Sequence, residues 1–339
     1  MTATPTPEKP VSKNFFVKHK KLTITLAIIL AFIITFAATL FIMVKIGEAK
    51  LRENLVAGEK LEVTDNMDDN AIYHNGKTYY YNENLINILL LGIDADPNQT
   101  DTRAQADALY LISADTKNSK VKVFSVSRNT LCEFDVFSDN GTVYGKENAQ
   151  ICLAYAYGSN DINSSENCVK AVSNLLYNIP ISGYYTLQLS SISKIVNSVG
   201  GVKVLMPSNI APPEWADKAG QTVTLNGQDA LSYLSYRKDS NADRVENHKR
   251  FIKSFIDSAK VAVKKDMSLP LKIANTIKKD STTNIDVSGM MYLATEALDW
   301  KLEFVNIEGE YSIRNGQEVY IADEEALKLA VLTNFYIVK

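Results

Sequence analysis

An α/β domain built on a mixed sheet, carried behind one membrane-spanning helix, is the architecture that this 339-residue sequence predicts. Three observations predict it: an uncharged stretch of 23 residues from Leu22 to Val44, a series of short apolar strands beginning with INILLLG at 86–92, and capped helices spaced between later strands. Composition sets the bounds. At 46% hydrophobic and 22% charged, the chain can bury a sizeable core, which excludes a disordered or fibrous protein. With 36 Lys+Arg against 39 Asp+Glu the net charge is only −3, so no broad cationic field exists for a nucleic acid backbone. Three Cys and three His, with no Cys-x-x-Cys pair, exclude a disulfide scaffold and a zinc site.

The elements follow in chain order. Residues 1–21 form a cytoplasmic tail in which Lys9, Lys13, Lys18, Lys20 and Lys21 precede the apolar stretch with only Glu8 opposing them. The positive-inside rule keeps that tail in the cytoplasm and puts everything after the helix outside the cell membrane. The stretch 22–44 is long enough to span a hydrocarbon core of ~30 Å as an uncleaved anchor. A cleaved signal peptide, the rival reading, would have a shorter apolar region of ~7–15 residues and a small-residue cleavage site. Residues 45–84 are polar and then tyrosine-rich, as expected of an extracellular stalk, and 85–339 form one large domain.

Within that domain INILLLG is a continuous apolar run ending in Gly92, as in a central strand buried on both faces. ALYLISA (108–114) and KVKVFSVS (120–127) flank a turn and read as a hairpin. If the first strand runs up, the next runs down and the third up again. Asp94, Asp107 and Arg128 then emerge at one edge of the sheet. Asn163-x-x-Glu166 reads as a capping box for a helix to about Tyr177, Gly200-Gly201 closes another, and Asn226 caps a third. Longer helices are expected near 244–263 and 323–335.

Two carboxylates at one sheet edge suit a hard cation such as Mg²⁺ (or Mn²⁺), with phosphate oxygens and water completing its shell. Asp94 and Asp107 are the expected ligands, and Asp101 in the same loop is a weaker third. Arginine suits bidentate contact with phosphate oxygens. Arg128, Arg237 and Arg244 are the candidates, with His248 one turn beyond Arg244 on the same helix face; each arginine taken alone reads better as a solvated surface residue, and His248 equally well as a capped surface histidine. An oxidising exterior permits a disulfide between Cys152 and Cys168, 16 residues apart, with two buried thiols as the alternative; Cys132 is left over. No Gly-x-Ser-x-Gly elbow, Walker loop or dinucleotide fingerprint occurs.

Taken in order and spacing, NILLLGIDAD, QADALYLIS, FSVSRNT, LAYAYG, NLLYNIPI, IVNSVGGVKV, LNGQDALSYLSYRK and DRVENHKR resemble the LytR-CpsA-Psr family over residues 86 to about 258. The resemblance implies a three-layer α/β/α fold with a deep apolar pocket for a polyprenyl tail. It also implies a phosphotransferase that moves a cell-wall glycopolymer, such as teichoic acid or capsule, from a polyprenyl-pyrophosphate carrier to the primary hydroxyl of muramic acid in peptidoglycan. By position, Asp94 and Asp107 are similar to the family's magnesium-linked aspartates. Arg128 matches the arginine of its Ser-x-Pro-Arg-Asp motif, Arg237 the second arginine of its Arg-x-Arg motif, and Arg244 the arginine opening the next helix. The sequence departs from the pattern at Gln105-Ala106, where Arg-Ser is usual and Arg103 stands as a substitute charge. It departs also at Ser127 and Asn129, at Ser235, and at Asn247-His248. Each lost charged hydrogen bond forfeits ~1.5–3 kcal/mol. The alternative is therefore a degenerate homologue that binds lipid-linked glycopolymer or scaffolds wall synthesis without turnover. The short basic tail contains no recognition helix for direct DNA contact.

Overall fold

The computed structural model describes residues 41–58, 71–94, 104–236 and 241–338, together with Thr35 and Thr39. Most of the expected membrane helix therefore lies outside the described residues, as do Asp101, Arg103 and Arg237. Among the described residues no helix is long and apolar enough to cross a membrane.

A helix α1 (41–53) leads into the hairpin β1 (Ala71–His74) and β2 (Lys77–Tyr81). Then come β3 (Leu85–Asp94), β4 (Gln105–Asp115) and β5 (Lys120–Val126), followed by a second hairpin, β6 (Leu131–Phe137) and β7 (Val143–Gln150). Helices α2 (Leu153–Ala156) and α3 (Asp161–Leu175) precede β8 (Gly183–Gln188), α4 (Ile192–Ser198), β9 (Val202–Leu205) and β10 (Thr222–Leu225). Next are α5 (Gly227–Ser235), α6 (Asn241–Lys265), α7 (Leu269–Ile277), β11 (Ser281–Thr283) and α8 (Val287–Thr295). The chain closes with β12 (Lys301–Asn306), β13 (Gly309–Arg314), β14 (Gln317–Ala322), α9 (Glu324–Phe335) and β15 (Tyr336–Val338).

The central sheet is mixed, in the order β11-β8-β3-β4-β5-β12. Strands β3, β4 and β5 form an antiparallel meander, while β8 joins β3 and β12 joins β5 in parallel. This is the up-down-up path expected for the three strands. Alternation along β3 explains its continuous apolar run. Leu85, Leu89, Leu91 and Ile93 enter one core with α3 and α9, whereas Ile86 and Ile88 enter another with α1 and α8. A third apolar cluster joins α4, α5 and α6 to the small β9–β10 sheet.

The expected stalk is corrected. Residues 45–58 and 71–84 are built into the domain, while 59–70 lie outside the described residues: Leu51 of α1 is 3% exposed against Ile86 and Tyr292. Gly47 lets α1 lie directly on α8, since a Cβ there would stand 2.1 Å from the Ser288 carbonyl oxygen. The Val56 N–H donates to the Ile181 carbonyl at 2.9 Å, and β2 pairs with β15 at the far end of the chain. The charged side chains of Lys45, Lys50, Arg52 and Glu53 lie on the exposed face of α1.

The expected disulfide is corrected as well. Cys132, Cys152 and Cys168 are free thiols. Cys168 is fully buried on the inner face of α3, and the Cys152 sulfur is turned toward Arg128 and Gln105. Burial pushes the Cys168 thiol well above its ordinary range and Cys132 up to about 12, so both stay protonated and inert.

Candidate functional site

The site begins with an irregularity in the β3–β4 ladder. Gly92 pairs with Ala108 and Ile93 with Ala106, which leaves Asp107 as an extra residue on β4. Such a bulge re-aims a side chain. Here it turns the Asp107 carboxylate into a cavity whose rim also carries Asp94, at the end of β3. Gly92 lies close beside them, where an added Cβ would push on Leu189 Cδ2 at 2.7 Å and stand 3.1 Å from Ala108 Cβ. Arg128 follows β5, and its Nη1 lies 2.9 Å from Asp107 Oδ1. The edge expected to unite Asp94, Asp107 and Arg128 therefore does bring them together.

The cavity itself measures about 380 Å³, a volume usual for ligand pockets. Its walls are apolar: Leu90 from β3, Leu187 and Leu189 after β8, Ile192 and Ile195 from α4, Leu231 and Leu234 from α5, and Phe251 and Phe255 from α6. Charge is confined to one end, where Asp94, Asp107 and Arg244 line it. A narrow gap lined by Asp107, Arg128, Arg244 and Tyr311 continues outward from that end.

Asp107 is pulled two ways. Burial raises its proton affinity most strongly, the Arg128 guanidinium opposes this, and the nearby Asp94 charge adds to the rise. The close Arg128–Asp107 contact is an ion pair without hydrogen-bond alignment, so Asp107 Oδ1 and Arg128 Nε are buried without hydrogen-bond partners among the described residues. The other face of Arg128 is held: Nη2 donates to Gln105 Oε1 at 2.5 Å and lies 3.6 Å from Cys152 Sγ. Gln105, where the family pattern has arginine, thus acts as a clamp on Arg128.

Two further departures have structural causes. Asn247 is fully buried; its Oδ1 accepts from the Tyr233 hydroxyl at 3.1 Å and its Nδ2 donates to the Ile210 carbonyl at 3.1 Å. A longer charged side chain has no room there. His248 is corrected from phosphate ligand to pocket wall. One ring nitrogen lies 2.8 Å from the Leu234 carbonyl, which can only accept, so Nε2 carries the proton and Nδ1 accepts from the Tyr110 hydroxyl at 2.6 Å. Burial holds its pKa down at about 4, with the Arg244 charge acting in the same direction, so the ring is neutral and has no nitrogen left for an anion.

One residue, Tyr311, escapes a reading by motif. It lines the gap at Arg128 together with Tyr110, which belongs to the QADALYLIS segment. The Asn315-Gly316 pair, with φ of 52° and 76°, marks the two-residue hairpin that brings Tyr311 there and is the signal that finds it.

The LytR_cpsA_psr family model matches residues 41–333. The chain belongs to the LytR-CpsA-Psr family. Among its relatives, the polyisoprenyl-teichoic acid–peptidoglycan teichoic acid transferase TagV of Bacillus subtilis (strain 168) is 25% identical over 315 residues, covering 87% of this chain and 74% of the relative. The corresponding TagU of Enterococcus faecalis is 24% identical over 254 residues, covering 73% and 77%. The crystal structure of B. subtilis TagV superposes with a TM-score of 0.58 over 74% of this chain and 95% of that one, at 24% identity. A structure of TagT bound to LI-WTA superposes at 0.57 over 82% and 97%, at 21% identity. The fold is thus the family's α/β fold with a central mixed sheet, and the match from residue 41 agrees with α1 being part of the domain.

Proposed function

We propose that this chain is a phosphotransferase that moves a glycopolymer from a polyprenyl-pyrophosphate carrier onto peptidoglycan. On this reading the apolar stretch 22–44 anchors it in the cell membrane with its N-terminus in the cytoplasm, and the domain works outside. One observation carries the proposal: an apolar pocket ends in Asp94, Asp107 and Arg244, with Arg128 in the gap beyond. That arrangement matches a ligand with a hydrocarbon tail and a phosphate head.

The pyrophosphate sits at the charged end, its tail directed between β3 and the helices α4, α5 and α6. Arg128, fixed by Gln105 and Asp107, meets the phosphate oxygens where negative charge builds up, and Arg244 does so from α6. Arg103 and Arg237, both outside the described residues, are the further arginines proposed for the phosphate. One of the two carboxylates, Asp94 or Asp107, takes the proton of the acceptor hydroxyl. A divalent cation, Mg²⁺ or Mn²⁺, fits the donor set: Asp107 Oδ1 is buried without a hydrogen-bond donor, and Asp94 faces the same cavity. Those two residues would hold it, and when bound it would supply positive charge against the pyrophosphate. Among the described residues no group of three or more acidic, His or Cys side chains converges, so phosphate and water would complete the shell.

The test is transfer by the full-length chain in micelles, with Mg²⁺ or Mn²⁺, from a polyprenyl-pyrophosphate saccharide. Asp107→Asn and Arg128→Ala are each expected to slow release of polyprenyl phosphate by about 10²–10³-fold. Parent-like rates in both variants would contradict the mechanism. A second reading, donor binding without turnover, draws on Gln105, which already occupies one edge of Arg128. Tight donor binding with no product at any metal concentration would favour it.

A further inference from the structure

The gap that holds Arg128 opens, on its other side, into a second and larger cleft of about 900 Å³. Ser125 and Ser127 at the end of β5 form part of its lining, with the first turns of α6 and the β13–β14 hairpin as walls. The large cleft and the apolar pocket share no residue, yet each shares several with the gap: Asp107, Tyr110 and Arg244 for the apolar pocket, Ser127, Val245 and Tyr311 for the cleft. Arg128 therefore lies between a greasy cavity and a polar one.

We propose that the polar cleft is the acceptor subsite, and that it takes a saccharide strand bearing hydroxyl and N-acetyl groups rather than phosphates. This rests on the phosphotransferase reading above and adds to it where the acceptor binds. In phosphoryl transfer the attacking and leaving oxygens lie roughly in line across phosphorus. The leaving polyprenyl phosphate is tied to the apolar pocket by its tail, so the nucleophile must arrive from the opposite side. The acceptor oxygen bonds to the phosphorus that carries the glycopolymer. The bond from that phosphorus to the bridging oxygen breaks, polyprenyl phosphate leaves with the electron pair, and the hydroxyl proton passes to a carboxylate of the Asp94–Asp107 pair.

The lining chemistry selects the ligand class. Glu246, Glu308, Glu310 and Asp323 face the cleft against one cation, Lys249, and that lysine already pairs with Glu246 at 2.6 Å. Among the described residues no cation lies within ion-pair distance of Glu308 or Glu310. Such a surface repels a polyanion and accepts hydrogen bonds from sugar hydroxyls. Tyr311 supplies an aromatic face, 45% exposed, for a sugar ring. Tyr320 holds it edge-to-face at 4.9 Å and is itself fixed by donating its hydroxyl to the Ile307 carbonyl at 2.8 Å. The hairpin is also tied to the loop of Arg128. The Tyr320 N–H donates to the Asn129 carbonyl at 2.7 Å, and Asn129 Nδ2 donates to Glu318 at 2.8 Å. The aspartate usual at position 129 would face the Glu318 carboxylate instead.

The experiment uses the full-length chain in micelles, a polyprenyl-pyrophosphate disaccharide as donor, and an unphosphorylated tetrasaccharide of alternating N-acetylglucosamine and N-acetylmuramic acid as acceptor. Tyr311→Ala is expected to raise the acceptor KM about tenfold, the size of one well-placed aromatic contact, and Glu310→Lys to raise it in the same direction. In Glu310→Lys, donor KM and the slow release of polyprenyl phosphate to water stay at parent values. Tyr144→Ala, in a separate cleft beside Gln105, changes none of these. An unchanged acceptor KM in both the Tyr311 and Glu310 variants, or a rise caused by Tyr144→Ala, overturns the assignment. Should the parent fail to cleave the donor at all, the phosphotransferase reading fails. Calorimetric binding of the tetrasaccharide then decides the subsite by itself: a tenfold loss in Tyr311→Ala supports it, and equal affinity overturns it.

Discussion

His248 shows how burial decides the role of a residue that its neighbours in sequence leave open. Its position one turn after Arg244 suits an anion ligand equally well from sequence, but the ring is enclosed between Tyr110 and the Leu234 carbonyl and stays neutral. A stability consequence follows. The folded-state pKa is held near 4 against an ordinary 6.5, so the unfolded chain binds the proton first as pH falls. The stabilisation is complete above pH 6.5 and is lost as pH drops toward 4, with a total of roughly 3 kcal/mol. Denaturant unfolding between pH 7.5 and 4.5 measures it: the parent loses stability on acidification, and His248→Gln loses less. Equal slopes would mean that the ring is not buried neutral. Asp94, Asp107 and Arg128 were legible because an up-down-up strand path places all three at one edge, whatever the packing. The bulge that turns Asp107, the clamp of Gln105 on Arg128 and the enclosure of Asn247 were not. Each depends on contacts between elements far apart in the chain.

Local signals located some elements and misplaced others. Asn226 caps α5 through a full capping box with Asp229, as its sequence announces. Helix α3 starts earlier than the Asn163-x-x-Glu166 pattern suggests, because Asn160 accepts from the Ile162 and Asn163 N–H groups, both at 3.1 Å, and takes the cap. The two hairpins turned by Asn75-Gly76 and Asn315-Gly316 carry an equally plain signal, yet their value lies in what they later pack against. Helix α1 is the largest departure, since its sequence reads as a polar spacer while Val44 and Leu51 pack inward. Truncating Leu51 to alanine is expected to cost about 2–4 kcal/mol in denaturant unfolding. A change near zero would return α1 to the status of a detached stalk.

At the scale of the whole molecule, three features meet around Arg128: an apolar pocket, a charged gap and a polar cleft. The mixed α/β sheet was legible from strand order, and the family from eight segments in register. The cleft was not, because its walls come from α6 and a hairpin about 60 residues further along. The proposed chemistry depends on the pocket taking the hydrocarbon tail while the gap takes the phosphate. The most direct measurement is a crystal structure of the chain with polyprenyl phosphate bound. It should show tail density between Leu90 and Phe255, ending in a phosphate within hydrogen-bond distance of Arg128 or Arg244. Lipid density on any other surface, with the pocket closed and Arg128 far from phosphate, would contradict it.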